Sequence, residues 1–273
     1  MFMTQDVWLG KHPYLQRVAD LQALINAALA EIPIPVPGVP SFDDYISDFR
    51  AGIPLLRSSM VAIDVRDMEK VLTSLVDALV LKPLPGNLVE ASRSLEAQLH
   101  SDRDSPRRSL DWLLANDSFT PTNPGLLRYL GWSVLARYLC PLVVAFSSWR
   151  DEERWLRSYC PTCGALAAMA QLIGTDPGRL RFLSCGCCRS RWRYRRTGCP
   201  FCQSADDHRL AVVAVEGEAG LRIDYCEACG GYVKTYEGQG SESLLLADWT
   251  SLHLDILAHD RGLMRCAESL YQL

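Results

Sequence analysis

Four Cys-x-x-Cys pairs stand within seventy residues of this chain: Cys160/Cys163, Cys185/Cys188, Cys199/Cys202 and Cys226/Cys229. Twenty-one residues separate the first pair from the second, 23 separate the third from the fourth, and ten lie between the halves. Two residues between cysteines let one tight turn aim both sulfurs at one ion, and a second turn completes a tetrahedron. A single pair would fit a redox dithiol as well. Four pairs in two similar gaps are the signature of two four-thiolate metal sites.

The segment is also an internal repeat. Cys160-Pro-Thr-Cys163 recurs as Cys199-Pro-Phe-Cys202, and Phe182-Leu-Ser-Cys-Gly-Cys-Cys188 with Trp192 recurs as Ile223-Asp-Tyr-Cys-Glu-Ala-Cys229 with Tyr232. Pairing in sequence gives each copy a complete site: Cys160, Cys163, Cys185 and Cys188 in one, Cys199, Cys202, Cys226 and Cys229 in the other. An interleaved pairing is the alternative. Gly164 and Gly230 follow the second cysteine of their pairs, where a turn around a metal needs positive φ. Arg189 and Gln203 hold the equivalent places, so those two turns are expected to be less regular. Short alternating stretches at 178–185, 189–196, 208–216, 221–225 and 232–236 read as strands. A unit of about 40 residues buries too little apolar surface to fold alone, so a structural ion is expected to supply the missing folding energy.

Before Cys160 the period is helical and no strand is evident. Leu15, Val18, Leu21, Ile25 and Leu29 share one face of a helix over 14–31. Ile32 to Pro40, with four prolines, is an extended connector. Ser41 is read as opening the next helix, broken by Gly52-Ile-Pro-Leu-Leu56. Helices follow over 64–82, 87–100 and 106–116, and over 124–157 as one long helix or two meeting near Pro141. The tail, 251–270, returns to helix. The expected fold is therefore α+β: an all-α N-terminal domain (1–157), two tandem small β-rich, rubredoxin-like or zinc-ribbon-like four-cysteine modules (158–197 and 198–248), and a C-terminal helix packing back (249–273).

Of eleven cysteines, eight sit in metal-type pairs, which reads as metal binding rather than a disulfide framework. Cys140, in Tyr-Leu-Cys-Pro-Leu-Val-Val, reads as a buried core thiol, Cys187 as an inert neighbour of the first site, and Cys266 as a packing residue on the tail helix. Four thiolates around a divalent ion leave a net charge of about −2. Five arginines between 189 and 196 are expected to offset it. Residues 160–250 hold ten basic and ten acidic side chains, and the whole chain carries −4, so no nucleic-acid partner is indicated. The longest apolar run, 138–148, covers about half a bilayer. With no charged, apolar leader evident near the start, the chain reads as cytoplasmic, without membrane insertion. No phosphate loop, dinucleotide fingerprint or paired-carboxylate pattern is present, and the five histidines are scattered. No catalytic centre is expected. Four-sulfur coordination suits zinc or a single iron, and with every position filled by protein it leaves structural support or one-electron chemistry.

The chain resembles the formate dehydrogenase accessory protein FdhE family. The resemblance rests on Cys160-Pro-Thr-Cys-Gly164, Leu180-Arg-Phe-Leu-Ser-Cys-Gly-Cys-Cys188 with Trp192, Cys199-Pro-Phe-Cys202, and Tyr225-Cys-Glu-Ala-Cys-Gly-Gly-Tyr-Val-Lys234. The tail Leu246-Ala-Asp-Trp-Thr-Ser-Leu-His-Leu-Asp255 belongs to it, as does Gly52-Ile-Pro-Leu-Leu56 in the helical half. It implies a cytoplasmic, non-enzymatic maturation factor that binds the catalytic subunit of a respiratory formate dehydrogenase. It also implies one iron in each four-cysteine site, held rubredoxin-fashion, with zinc the alternative, and self-association as a homodimer. Two other classes compete: a rubredoxin-like electron carrier and a zinc-ribbon nucleic-acid binder.

Overall fold

The structure is a computed structural model that describes residues 3–271 apart from Ala62, Asn116, Asp176, Pro177 and Ala219. Eight helices precede Cys160 among the described residues: α1 (Gln5–Lys11), α2 (Gln16–Glu31), α3 (Ile46–Ala51), α4 (Asp67–Val80), α5 (Gly86–Leu99), α6 (Ser105–Leu113), α7 (Pro124–Trp149) and α8 (Glu152–Trp155). Six strands follow: β1 (Ala167–Ile173), β2 (Leu180–Cys185), β3 (Arg191–Tyr194), β4 (Leu210–Ala214), β5 (Leu221–Cys226) and β6 (Gly231–Glu237). The tail adds α9 (Glu242–Leu245), α10 (Leu252–Asp260) and a two-residue strand, β7 (Met264–Arg265). This is the helix-then-sheet order expected, with helices at both ends. The chain falls into two compact units. One comprises Met1–Val18, Tyr45–Arg57 and Arg150–Ser269, the other Ala19–Asp44, Ser58–Trp149 and Leu270–Leu273.

In the helical unit, α4 packs against α5, α6 and α7. Leu72, Leu75, Val76, Leu95, Leu110, Leu127, Leu130 and Leu135 are fully or almost fully buried. Asn123 and Pro124 set the start of α7: the Asn123 side chain accepts the Leu126 amide at 2.9 Å, and proline suits a first turn whose N–H groups have no helical partner. At Gly131 a β-carbon would meet Leu113 Cδ1 at 2.1 Å, so glycine lets α6 and α7 close up. Helix α7 runs unbroken through Pro141. It is long and apolar enough, by length and composition, to cross a membrane, and 56% of that stretch is buried inside the protein. Its first half is buried almost all round, whereas Arg137, Cys140 and Val144 form an exposed stripe at helical spacing. Cys140 is thus exposed rather than a core thiol: its apolar neighbours in sequence face other directions on the helix. Ser41 likewise opens no helix. Its hydroxyl bonds Asp43 Oδ2 at 2.8 Å in a local turn, and α3 begins only at Ile46.

In the other unit the strands form one sheet, ordered β3-β2-β1-β6-β5-β4, with β7 added beside β6. Each repeat contributes an antiparallel meander, and β1 pairs with β6 in parallel to join them. The joined strands are not equivalent in the repeat: β1 is the first strand of its copy, β6 the third of its own. The union is therefore head to tail and leaves β3 and β4 as edges. Alternation does not announce β1, because six of its seven residues are buried. The tail is locked to β6 by ion pairs. Lys234, 1% exposed, reaches Asp248 Oδ1 at 2.7 Å and Asp255 Oδ2 at 2.8 Å, and Arg265 pairs with both carboxylates. Burial alone would raise the Asp248 carboxyl, but Lys234 and Arg265 outweigh it and hold it far below the carboxylate range.

Candidate metal centres

Three of the four Cys-x-x-Cys pairs close with the same hydrogen bond. Gly164 N donates to the Cys160 carbonyl at 2.9 Å, Gln203 N to that of Cys199 at 3.1 Å, and Gly230 N to that of Cys226 at 2.8 Å. Amides inside the turns point at sulfur: Thr162 N lies 3.4 Å from Cys160 Sγ and Phe201 N 3.3 Å from Cys199 Sγ. The residue after the second cysteine is left-handed in all four turns: φ is 83° at Gly164, 63° at Arg189, 60° at Gln203 and 70° at Gly230. The non-glycine turns thus take the same left-handed conformation, and the Gln203 turn closes with the same hydrogen bond as the glycine turns, contrary to expectation. The geometry is imposed on Arg189 and Gln203 at about 1–2 kcal/mol each.

The sulfurs converge in sequential order. Cys160, Cys163, Cys185 and Cys188 form one group and Cys199, Cys202, Cys226 and Cys229 another, the sulfurs of each within 4.8 Å of one another. In the first, Cys160 Sγ lies 3.4 Å from Cys188 Sγ and Cys163 Sγ 3.5 Å from Cys185 Sγ. In the second, the corresponding distances are 3.7 Å from Cys199 to Cys229 and 3.8 Å from Cys202 to Cys226. A tetrahedron with metal–sulfur bonds of about 2.3 Å has edges of about 3.8 Å. Both donor sets fit such an ion, the second without adjustment and the first after a small expansion. All separations are far beyond the ~2.05 Å of a disulfide.

The thiols cannot all ionise together without a cation among them. In the first group burial would raise Cys160, but hydrogen bonds from Cys163, Cys185 and Cys188 outweigh it and hold it well below the usual thiol value. Cys163 and Cys185 are pushed well above that value, first by their bonds to Cys160, and Cys188 first by burial. In the second group burial pushes Cys199 up to about 12 and raises Cys229, while a hydrogen bond from the Ser204 amide lowers Cys202.

The surroundings differ. Around the first group, the Thr162 and Ser190 hydroxyls bond to each other at 2.7 Å across the two turns. The Gly52-Ile-Pro-Leu-Leu56 stretch lies on this knuckle: Leu55 N and Leu56 N donate to the Pro161 and Thr162 carbonyls, both at 2.9 Å, and Tyr159 Oη donates to the Gly52 carbonyl at 2.7 Å. The second group lacks such a strap among the described residues, and Cys202 is exposed. Cys187 is half-buried. Cys266, expected on the tail helix, lies past its end beside the second group: a β-carbon on Gly231 would meet Cys266 Sγ at 2.8 Å and Cys229 Sγ at 3.2 Å.

Two of the arginines of 189–196 are engaged elsewhere than at the sulfurs. Arg193 pairs with Glu153, and Arg191 bonds Gln171 and lies over the Phe182 ring. Buried Arg181 donates to the Gly198 carbonyl at 3.1 Å, one residue from Cys199.

Fold and clusters together define a class: a protein of helices and one sheet that carries two four-cysteine groups, one per repeat. No protein-family model matches the chain. It is 30% identical over 280 aligned residues to a protein FdhE homolog from Pseudomonas aeruginosa, covering 95% of this chain and 84% of that one. It is 29% identical over 136 residues to a protein FdhE homolog from Aquifex aeolicus, spanning about half the length of that relative (48%). The crystal structure of the FdhE protein from Pseudomonas aeruginosa shares its fold, with a TM-score of 0.60 at 23% identity over 94% of this chain and 88% of that one. The chain belongs to the FdhE family.

Proposed function

We propose that the chain is a non-enzymatic maturation factor that binds the catalytic subunit of a respiratory formate dehydrogenase in the cytoplasm and is needed for its assembly or activity. The observation that carries this reading is family membership along nearly the whole chain, together with two complete four-sulfur donor sets. In this reading Cys160, Cys163, Cys185 and Cys188 hold one ion and Cys199, Cys202, Cys226 and Cys229 the other. Each ion is iron, with zinc the alternative, and the factor works as a homodimer. A site whose four positions are all protein sulfur offers no position for substrate, which favours support of a docking surface over hydrolysis. A second reading, one-electron transfer, is favoured by the exposure of Cys202, since an ion near the surface exchanges electrons with a partner more readily.

The test is a pull-down of the tagged chain from formate-respiring cells, with metal and visible spectrum measured on the same sample. Recovery of the formate dehydrogenase catalytic subunit is expected. A metal-loaded chain that never recovers that subunit, yet is reduced and reoxidised reversibly, would favour the electron carrier.

A further inference from the structure

Three residues that no sequence pattern connects converge in the sheet-containing unit: His12 at the end of α1, Glu218 in the β4–β5 hairpin, and His253 on α10. Their donor atoms lie within 4.8 Å of one another. His12 Nε2 and His253 Nε2 each stand 2.8 Å from Glu218 Oε1. The two imidazoles are stacked, 5.1 Å between centroids, and Tyr14 meets both edge-on. The Glu218 and His12 side chains are more than nine-tenths buried.

Hydrogen bonding leaves this group incomplete. His12 Nδ1 faces the Trp8 carbonyl at 3.0 Å, and a carbonyl only accepts, so Nδ1 carries the proton. In a neutral ring Nε2 then directs a lone pair at a carboxylate oxygen, two acceptors in contact that need a second proton or a metal cation between them. His253 Nε2 is as close to the same oxygen but off the hydrogen-bond line, and its Nδ1 also lacks a partner among the described residues. Glu218 Oε2 is buried and unpartnered there too. Buried polar atoms are rarely left so. One ion would satisfy both Nε2 lone pairs and a carboxylate oxygen, and a water on that ion could reach the other oxygen.

We infer that His12, Glu218 and His253 form a third metal site, of nitrogen–oxygen type, for a divalent transition ion such as zinc or ferrous iron. Two imidazoles and one carboxylate suit those ions, and with no fourth side-chain ligand in the cluster the remaining positions fall to water or an incoming ligand. Bonds of about 2.0–2.1 Å put tetrahedral ligand atoms about 3.4 Å apart, so the ligands part by roughly half an ångström to admit the ion. The site ties the N-terminal segment to a hairpin 206 residues away and to the tail helix.

The test counts metal in the full-length protein. Wild type, Glu218→Gln and His253→Gln are dialysed anaerobically against cobalt(II), washed, and assayed for metal per chain, circular dichroism and absorption. Wild type is expected to keep three equivalents, two with thiolate-to-cobalt charge-transfer absorption and one without it. Each variant is expected to lose only the equivalent without that absorption and to keep the wild-type circular dichroism. A wild type with no equivalent of the second kind overturns the proposal, as does its survival in both variants. Should the variants fail to fold, anomalous diffraction from cobalt-loaded wild-type crystals decides. A peak about 2.1 Å from both Nε2 atoms supports the site. No peak means a hydrogen-bonded cluster only, which overturns it.

Discussion

The two four-cysteine groups come from one repeat but differ in exposure. All four cysteines of the first are buried, closed in by the Thr162–Ser190 bond and by the strap from Gly52 to Leu56. The second has the same turns and left-handed positions, but Cys202 is exposed and Cys229 half-buried. The repeat therefore sets ligand geometry, while segments outside it set access. The first group is built as a foundation; the second can meet solvent or a partner.

The largest effect expected is loss of a ligand. Cys185→Ala should abolish one metal equivalent and unfold its module, because binding a structural ion of this kind is worth about 10–16 kcal/mol. Cys202→Ala should also lose an equivalent, but with a smaller fall in near-ultraviolet circular dichroism, since less is packed around it. Equal structural losses would erase the contrast drawn here. Next comes access: a chelator should empty the second group before the first, as followed by stopped-flow with each site knocked out in turn. Release at one common rate would show that exposure of Cys202 does not govern exchange.

The ion network behind β6 comes third. Lys234→Ala should cost about 3–5 kcal/mol, because it strips a partner from buried Asp248 and half-buried Asp255; Lys234→Met strips the same charge and should recover only the packing of the stem, and thermal melts compare them. Asp248 has a lowered folded-state value. Its stabilising contribution is therefore complete above the ordinary carboxylate value of about 3.9 and is lost only as pH falls towards the folded value. An acid titration in which Asp248→Asn melts like wild type at pH 6 would remove that role. The smallest effect is at the turns. Arg189→Gly and Gln203→Gly should each gain about 0.5–1 kcal/mol, strain relief exceeding the added chain entropy. Destabilisation would mean these side chains make contacts that outweigh their strain.

The eight cysteines were legible because ligand spacing is a local property, and so were the helix starts at Pro124 and in the 105–106 turn. Strand β1 was not, because burial on both faces removes the alternation that marks its neighbours. Cys140 misled for a related reason: apolar neighbours along the chain say nothing about which side of a helix a residue faces. The roles of Lys234, Asp248 and Asp255 were hidden although all three lie in the stretches that carry the family resemblance; their partnership exists only once the tail returns to β6. His12, Glu218 and His253 lie in three segments far apart in sequence, and no spacing rule links them. The Gly52–Leu56 stretch, read as a helix breaker, does end α3 at a left-handed Gly52, and it also straps the first cysteine group.

Hydrogen exchange before and after metal removal, on the anaerobically prepared chain, tests most directly whether two ions hold the modules folded. Protection across 160–237 should collapse in the metal-free protein, while α4 to α7 keep theirs. A metal-free chain that protects 160–237 as fully as the loaded one would contradict the account.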